Sequence, residues 1–294
     1  MTGFAQALLL GVLIGGVYAL MASGLTLIFG VMNIINVAQG AFLVFAALIT
    51  WEIWSSIGLD PIAIALITTP VMFVFGWLVY KLFVKSVSGA PPSSTVLLTF
   101  GLALVLEGVM GLITRNVFHS VTPGYERTSF YLGPLFFPQA YVYTFAVAAL
   151  VLGLLYVLLT RTWIGRAIRA SSQNLSSAQL VGVSAASVAA LTFAIGTATT
   201  GVGGSLLAVL FTFFPASHYV WISRLLGVIV LGGMGSLPGA VLGSILLGVA
   251  ETMTSTYVSP RWATVVFYIV ILVVLLFKPT GLLGSSVRED VVTA

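Results

Sequence analysis

Gly30-Val-Met-Asn-Ile-Ile-Asn-Val-Ala-Gln-Gly40 interrupts a long apolar run with glycines and three neutral amides, Asn33, Asn36 and Gln39. A second stretch, Gly232-Gly-Met-Gly-Ser-Leu-Pro-Gly239, does the same near the other end of the chain. Unpaired backbone groups in hydrocarbon each cost several kcal/mol, so such breaks persist at membrane depth only where protein or a water-lined cavity surrounds them. Interrupted helices near both ends of one chain are also the pattern of inverted-repeat transporters, whose substrate sites lie at the breaks. The segment Leu27-Ile-Phe-Gly30…Gln39-Gly-Ala-Phe-Leu43 echoes Ile229-Val-Leu-Gly232…Pro238-Gly-Ala-Val-Leu242, although the echo is too short to establish a repeat. The breaks predict a transport path, with the three amides at the first and Gly232, Gly233 and Gly235 at the second.

Of the 294 residues, 60% are hydrophobic and 6% charged, against about 25% charged in a soluble domain. The expected fold is all-α: a polytopic membrane protein with about eight or nine transmembrane spans, including broken or re-entrant helices. The first charged residue is Glu52. The N-terminus lacks a basic n-region and its apolar sequence runs far past an h-region, so no cleaved signal peptide is expected. Eleven basic and seven acidic residues give a net charge of +4, spread over the loops with no basic stripe of the kind that binds nucleic acid. Cysteine is absent, which excludes disulfides and thiolate metal sites.

Apolar runs between polar punctuation place spans near 4–29, 36–56, 61–83, 93–113, 139–160, 187–213, 223–237, 239–256 and 262–278. Around 232–240 hydropathy admits one bent helix, a re-entrant pair or two full spans. Lys81, Lys85, Arg161, Arg166, Arg169, Lys278 and Arg288 fall on one side, which the positive-inside bias makes cytoplasmic. Arg115, Arg127, Arg224 and Arg261 fall on the other, with Glu52, Asp60 and Glu126. That puts the N-terminus outside and the C-terminus inside. The external loop from Thr114 to Gln139, with Pro123, Gly124, Pro134 and Pro138, reads as turn-rich. No soluble domain is visible, so 1–294 reads as one membrane domain. Gly11 and Gly15, and then Gly235, Gly239 and Gly243, lie at helix-packing spacing, either within the bundle or at a subunit interface.

No lysine follows a glycine, so there is no P-loop for ATP. No Gly-x-Ser-x-Gly occurs, and His119 and His218 lie in apparent external loops as interfacial residues. No catalytic or metal site is expected, and the chain is not read as an enzyme. Glu107 and Glu251 fall inside apolar spans, where a carboxylate either faces a cavity or partner or sits solvated near a helix end. The segment Arg161 to Val183 is the one extended cytoplasmic stretch, and its amphipathic part, Asn174 to Leu180, reads as a surface helix suited to a groove in a soluble partner.

Four stretches carry a family resemblance: Tyr18-Ala-Leu…Gly24-Leu-Thr-Leu-Ile-Phe-Gly30 with its continuation to Gly40; Gly165-Arg-Ala-Ile-Arg-Ala…Ala178-Gln-Leu-Val-Gly182-Val; Leu231-Gly-Gly-Met-Gly-Ser-Leu-Pro-Gly-Ala-Val-Leu-Gly243; and Phe277-Lys-Pro-Thr-Gly-Leu-Leu-Gly284. Together they resemble the permease subunits of branched-chain amino acid ABC importers, specifically the shorter of two sister permeases, over essentially the whole chain. Val37, Gln39 and Asn174 depart from the family, where Phe, His and Asp are common.

The resemblance implies inward transport of branched-chain or other hydrophobic amino acids by alternating access, in the inner membrane of a prokaryotic cell. It implies a sister permease, two cytoplasmic ABC ATPase subunits and an extracytoplasmic substrate-binding protein as partners. ATP and magnesium would be bound by the ATPases, and no cofactor by this chain. A coupling loop at 161–186 would contact the ATPase through Arg166, Ala167, Asn174, Ala178 and Gly182, while Asn33, Asn36, Gln39, Glu107, Gly232, Gly233 and Gly235 would line the path. Within the family, urea, amides and aromatic or other carboxylic acids are alternative substrates. Outside it, the competing readings are an ATP-independent secondary transporter or channel and an integral-membrane enzyme.

Overall fold

A chain this apolar must close its backbone hydrogen bonds internally, and helices do so within one segment. The computed structural model describes residues 2–87 and 89–284. Its helices are α1 (Thr2–Met32), α2 (Gln39–Ile57), α3 (Pro61–Leu82), α4 (Pro92–Thr114), α5 (Gln139–Arg161), α6 (Trp163–Gln173), α7 (Leu175–Leu180), α8 (Ala185–Leu210), α9 (His218–Gly232), α10 (Leu237–Tyr257) and α11 (Pro260–Phe277). Eight of them, all but α6, α7 and α9, are long and apolar enough to cross a membrane. Short polar side chains start them: Asp60 accepts from the Ile62 amide, Ser184 from Ser187, Ser236 from Gly239 and Ser259 from Arg261. Pro61, Pro238 and Pro260 occupy first-turn positions whose N–H has no intrahelical partner in any case.

Two spans differ from the hydropathy reading. α2 begins at Gln39 rather than 36, because residues 33–38 are not helical. The span expected at 223–237 is instead α9, which starts at His218 and has 15 residues. At about 1.5 Å per residue it is roughly 22 Å long, short of the ~30 Å hydrocarbon core. The region therefore holds a half-length helix followed by a full span, α10. Arg224 was expected in an external loop, yet it sits inside α9. Its removal from the external side leaves the lysine and arginine bias more one-sided; Arg288 lies outside the described residues.

α8 is the central post, flanked by α1, α2 and α3 and the most deeply enclosed of the spans. Small residues let its backbone touch its neighbours. A Cβ on Gly196 would lie 2.8 Å from the Gly24 carbonyl oxygen of α1, and one on Gly201 would lie 2.7 Å from the Thr69 Cα of α3. Hydroxyls join the same faces: Thr50 Oγ1 and Thr68 Oγ1 lie 2.8 and 3.1 Å from Ser205 Oγ. Gly11 and Gly15 pack on α10, where their Cβ atoms would each lie 2.6 Å from a Cα, of Val249 and Ile245. That face is filled within the chain, which removes this glycine pair from any subunit interface.

The loop between α4 and α5 is more ordered than a run of turns. It contains an antiparallel hairpin, β1 (Ser129–Leu132) and β2 (Leu135–Pro138), reversed at Gly133 with φ +62°. The Gln6 side chain clamps it to α1, donating to the Phe136 carbonyl and accepting from the Phe136 amide at 3.0 Å. Upstream, His119 and Phe213 exchange backbone hydrogen bonds of 2.8 and 2.9 Å, and the His119 ring lies 4.0 Å from that of Trp51. Both histidines were expected at an interface with water; both are buried.

Gly24→Leu should destabilise the protein by about 1–3 kcal/mol or more through overpacking against α8. Gly153→Ala, at a helical position whose Cβ meets nothing within 4 Å, should stabilise by about 0.5–1 kcal/mol. Thermal unfolding in detergent measures both. Burial lowers the His119 pKa, with Glu52 opposing in part. Folding therefore favours the neutral ring, and the resulting stability is present above the ordinary value of about 6.5 and lost as pH falls through the lowered one. Intrinsic-rate-corrected amide exchange at His119 and Phe213 should be faster at low pH than at neutral pH.

Candidate translocation site

The first break opens where Asn33, at φ +53°, ends α1 while its amide still bonds the Phe29 carbonyl at 2.8 Å. Asparagine tolerates this left-handed conformation better than other non-glycine residues. Asn33 faces outward, whereas Asn36 and Gln39 are fully buried. Asn36 Nδ2 donates to Gln39 Oε1 at 3.0 Å, and Gln39 Nε2 donates to the Gly196 carbonyl of α8 at 2.9 Å. Thr99 Oγ1 of α4 accepts from the Val37 amide at 3.2 Å. The three amides thus do not share one helical face, because the turn that would align them is unwound. Asn36 Oδ1 is buried with no hydrogen-bond partner, a cost tolerable only if something else meets it during the working cycle or the site stores strain.

The second break lies directly against the first. Gly233 and Gly235 have φ +103° and +82°. A Cβ on Gly30 would lie 3.2 Å from the Gly235 Cα. Gly232 packs on the first turn of α10, where a Cβ would lie 2.6 Å from the Ala240 amide nitrogen. The last carbonyls of a helix need partners, and those of α9 find them in the chain end: Leu282 N donates to Leu231 O at 2.7 Å and Leu283 N to Gly232 O at 2.9 Å. Two motifs read separately in the sequence, Leu231 to Gly243 and Phe277 to Gly284, are therefore one structural unit.

Both intramembrane acids are paired, and neither pairing was expected. His218 Nε2 and the Tyr219 hydroxyl, at the start of α9, each lie 3.0 Å from Glu107 Oε2 of α4. Arg224 Nη2 donates to Glu251 Oε1 at 2.8 Å and Nη1 to the Tyr18 hydroxyl at 2.7 Å, while that hydroxyl donates to Glu251 Oε2 at 2.9 Å. The guanidinium also lies within 6 Å of the rings of Tyr18, Trp221 and Phe267. A charge taken out of water needs such a closed set of partners.

On the side of Arg161, the extended stretch folds into two helices rather than the single one expected. α6 is the more amphipathic, buries Ile168 and places Arg166 over the Trp163 ring. Asn174 caps α7 by accepting from the Ser177 amide at 2.9 Å. Ala178 is buried, while Leu180 and Val181 at the tip are 89% and 79% exposed. Gly182, at φ +85°, reverses the chain toward α8.

Removing one partner of the Arg224–Glu251 pair should destabilise by about 3–5 kcal/mol, because the other charge stays buried. Arg224→Met combined with Glu251→Leu should recover most of that loss. Unfolding measurements across the four-member cycle test the coupling.

The chain matches the family described as "Branched-chain amino acid transport system / permease component" over residues 7–275. It is 29% identical to the high-affinity branched-chain amino acid transport system permease protein LivH of Salmonella typhimurium, with 98% of each chain covered. It is 28% identical to the corresponding BraD of Pseudomonas aeruginosa, again over 98% of each. A probable LivH of Methanocaldococcus jannaschii is 28% identical over 92% of this chain and 89% of its own. No solved structure matches the chain. With its apolar spans, its paired breaks and a family match from residue 7 to residue 275, the chain belongs to the branched-chain amino acid transport permease family.

Proposed function

We propose that this chain is the permease subunit of a binding-protein-dependent ABC importer that moves branched-chain or other hydrophobic amino acids inward. The family match along nearly the whole chain carries this reading. Its partners are a sister permease, two cytoplasmic ABC ATPases that bind ATP and magnesium, and an external substrate-binding protein. The setting is the inner membrane of a prokaryotic cell, with the N-terminus outside and the C-terminus inside. The chain itself performs no covalent chemistry.

In this reading residues 161–186 form the coupling loop. Support comes from the apolar tip at Leu180 and Val181, left exposed by the described residues, and from the basic residues Arg161, Arg166 and Arg169 in the same segment. Arg166, Ala167, Asn174, Ala178 and Gly182 shape the contact: Asn174 sets the start of α7, Ala178 roots it and Gly182 ends it. An apolar helical tip is the kind of anchor that a groove on a soluble subunit accepts.

The path runs along the joined breaks. Gly30 against Gly235 leaves no side chain to interlock α1 with the α9–α10 turn, so that contact can slide when ATP-driven closure pulls the coupling loop. Asn33, Asn36 and Gln39 then supply neutral hydrogen-bonding groups for a passing zwitterion. Gly232, Gly233 and Gly235 supply the backbone freedom.

Proteoliposomes holding the complete complex should take up leucine only with ATP and the binding protein, while this chain alone gives no flux. Ala178→Trp should lower import by about tenfold or more, the equivalent of ~1.4 kcal/mol of lost coupling, while ATP hydrolysis continues. ATP-independent uptake by the isolated chain, or unchanged import in Ala178→Trp, counts against the assignment.

A further inference from the structure

Of Glu107 and Glu251, the two carboxylates set furthest from a helix end among the described residues, only Glu107 has partners that leave an oxygen unused. Both Glu251 oxygens are taken, one by Arg224 and one by Tyr18. In Glu107, by contrast, His218 Nε2 and the Tyr219 hydroxyl converge on Oε2, and Oε1 has no hydrogen-bond partner among the described residues. The Glu107 side chain is 26% exposed, whereas His218 behind it is buried. The carboxylate therefore lies on the outside of this chain. It also lies seven residues before the end of α4 at Thr114, about 10 Å in from that end at ~1.5 Å per residue.

Lipid is a poor neighbour for such a group. A carboxylate toward the centre of a span costs about 2.5–3.5 kcal/mol on insertion scales, and acids there face an interior or a water-filled path. The surface around Glu107 has a second property. Leu104, one turn before Glu107 on the same face of α4, is exposed, and Tyr219, whose hydroxyl bonds the carboxylate, is exposed beside it. One free anionic oxygen bordered by an aliphatic side chain and an aromatic ring complements a ligand with one cationic group and one apolar group.

We propose that Glu107 is a substrate-binding residue of the path: its free oxygen takes the α-ammonium group of the passing amino acid, and Leu104 with the Tyr219 ring takes the apolar side chain. His218 and Tyr219 are positioning residues that fix the carboxylate through its other oxygen. The inference rests on the amino acid importer reading, and it places the α4–α9 face toward the path rather than toward lipid. A single charge-assisted hydrogen bond, about 1.5–3 kcal/mol, suits a site that must also release its ligand.

Two conservative changes separate a ligand role from a structural one. Glu107→Gln keeps the size and the acceptor oxygen for Tyr219 but removes the charge; Glu107→Asp keeps the charge but shortens the reach to α9. In proteoliposomes of the complete complex at saturating binding protein, Glu107→Gln should lower leucine import by about tenfold or more, and Glu107→Asp should retain most of it. The reverse order, with Gln active and Asp inactive, overturns the ligand role.

The cysteine-free background allows a second readout on the same helix face. Leu104→Cys, three residues before Glu107, should react with a water-soluble thiol reagent, and saturating leucine under turnover should slow that reaction about fivefold or more, as expected for occlusion of a shared site. A cysteine that never reacts in a transporting complex, as when a basic side chain of the sister permease covers the patch, overturns the inference. A wild-type complex that imports no amino acid would instead defeat the functional reading itself.

Discussion

Everything in this fold turns on the absence of water to accept a freed backbone hydrogen bond. The hydrogen bond from Gln39 Nε2 to the Gly196 carbonyl answers that constraint at the centre of the molecule. It joins the start of α2 to the middle of α8, and it forms only because α1 and α8 approach closely enough at Gly24 and Gly196 to bring the three segments together. With Asn36 bonded to the same side chain, Asn36 and Ala38 of the unwound stretch become part of the packed interior. Without that link the break would expose several peptide groups to hydrocarbon, each costing kilocalories.

The second break is satisfied differently. No side-chain amide is at hand, so the chain's own end returns and its amides at 282 and 283 bond the last carbonyls of α9. Left-handed glycines at 233, 235 and 281 make the three-way backbone contact possible. The first break is thus fixed chiefly by side-chain amides and the second chiefly by backbone, and the two meet at Gly30 and Gly235.

Much of this was legible in the sequence, for identifiable reasons. Apolar runs, proline at first-turn positions and short polar caps are local signals, and they placed most spans to within a few residues. The breaks were legible because glycine and amides have no ordinary place in such runs. The pairing of charges was not legible. Glu107 meets His218 across 111 positions and Tyr18 meets Arg224 across 206, and no window sees that far. Hydropathy treated Arg224 as the edge of a span because an unpaired arginine would be one; only its partners on α1 and α10 make an interior position tolerable. The same blindness put His218 in a loop and Gly11 with Gly15 at a possible subunit contact. Periodicity shows that a face is small, but it cannot name the helix that covers it.

α9 gathers these consequences in one element. α9, shorter than a full span, carries His218, Tyr219 and Arg224 on 15 residues. His218 and Tyr219 both reach α4 through Glu107, while Arg224 reaches α10 through Glu251 and α1 through Tyr18. The anchors differ in kind. Arg224 is held by a carboxylate, a hydroxyl and aromatic rings with only 15% of its side chain exposed, so separating it from α1 and α10 would strand a largely buried charge. The Glu107 contact is half open, held through one carboxylate oxygen, and can loosen without stranding its partners. A short helix pinned at Arg224, tethered at His218 and released into glycine at Gly232 has a fixed middle and two adjustable ends, which couples movement at the glycine turn to the exposed carboxylate on α4.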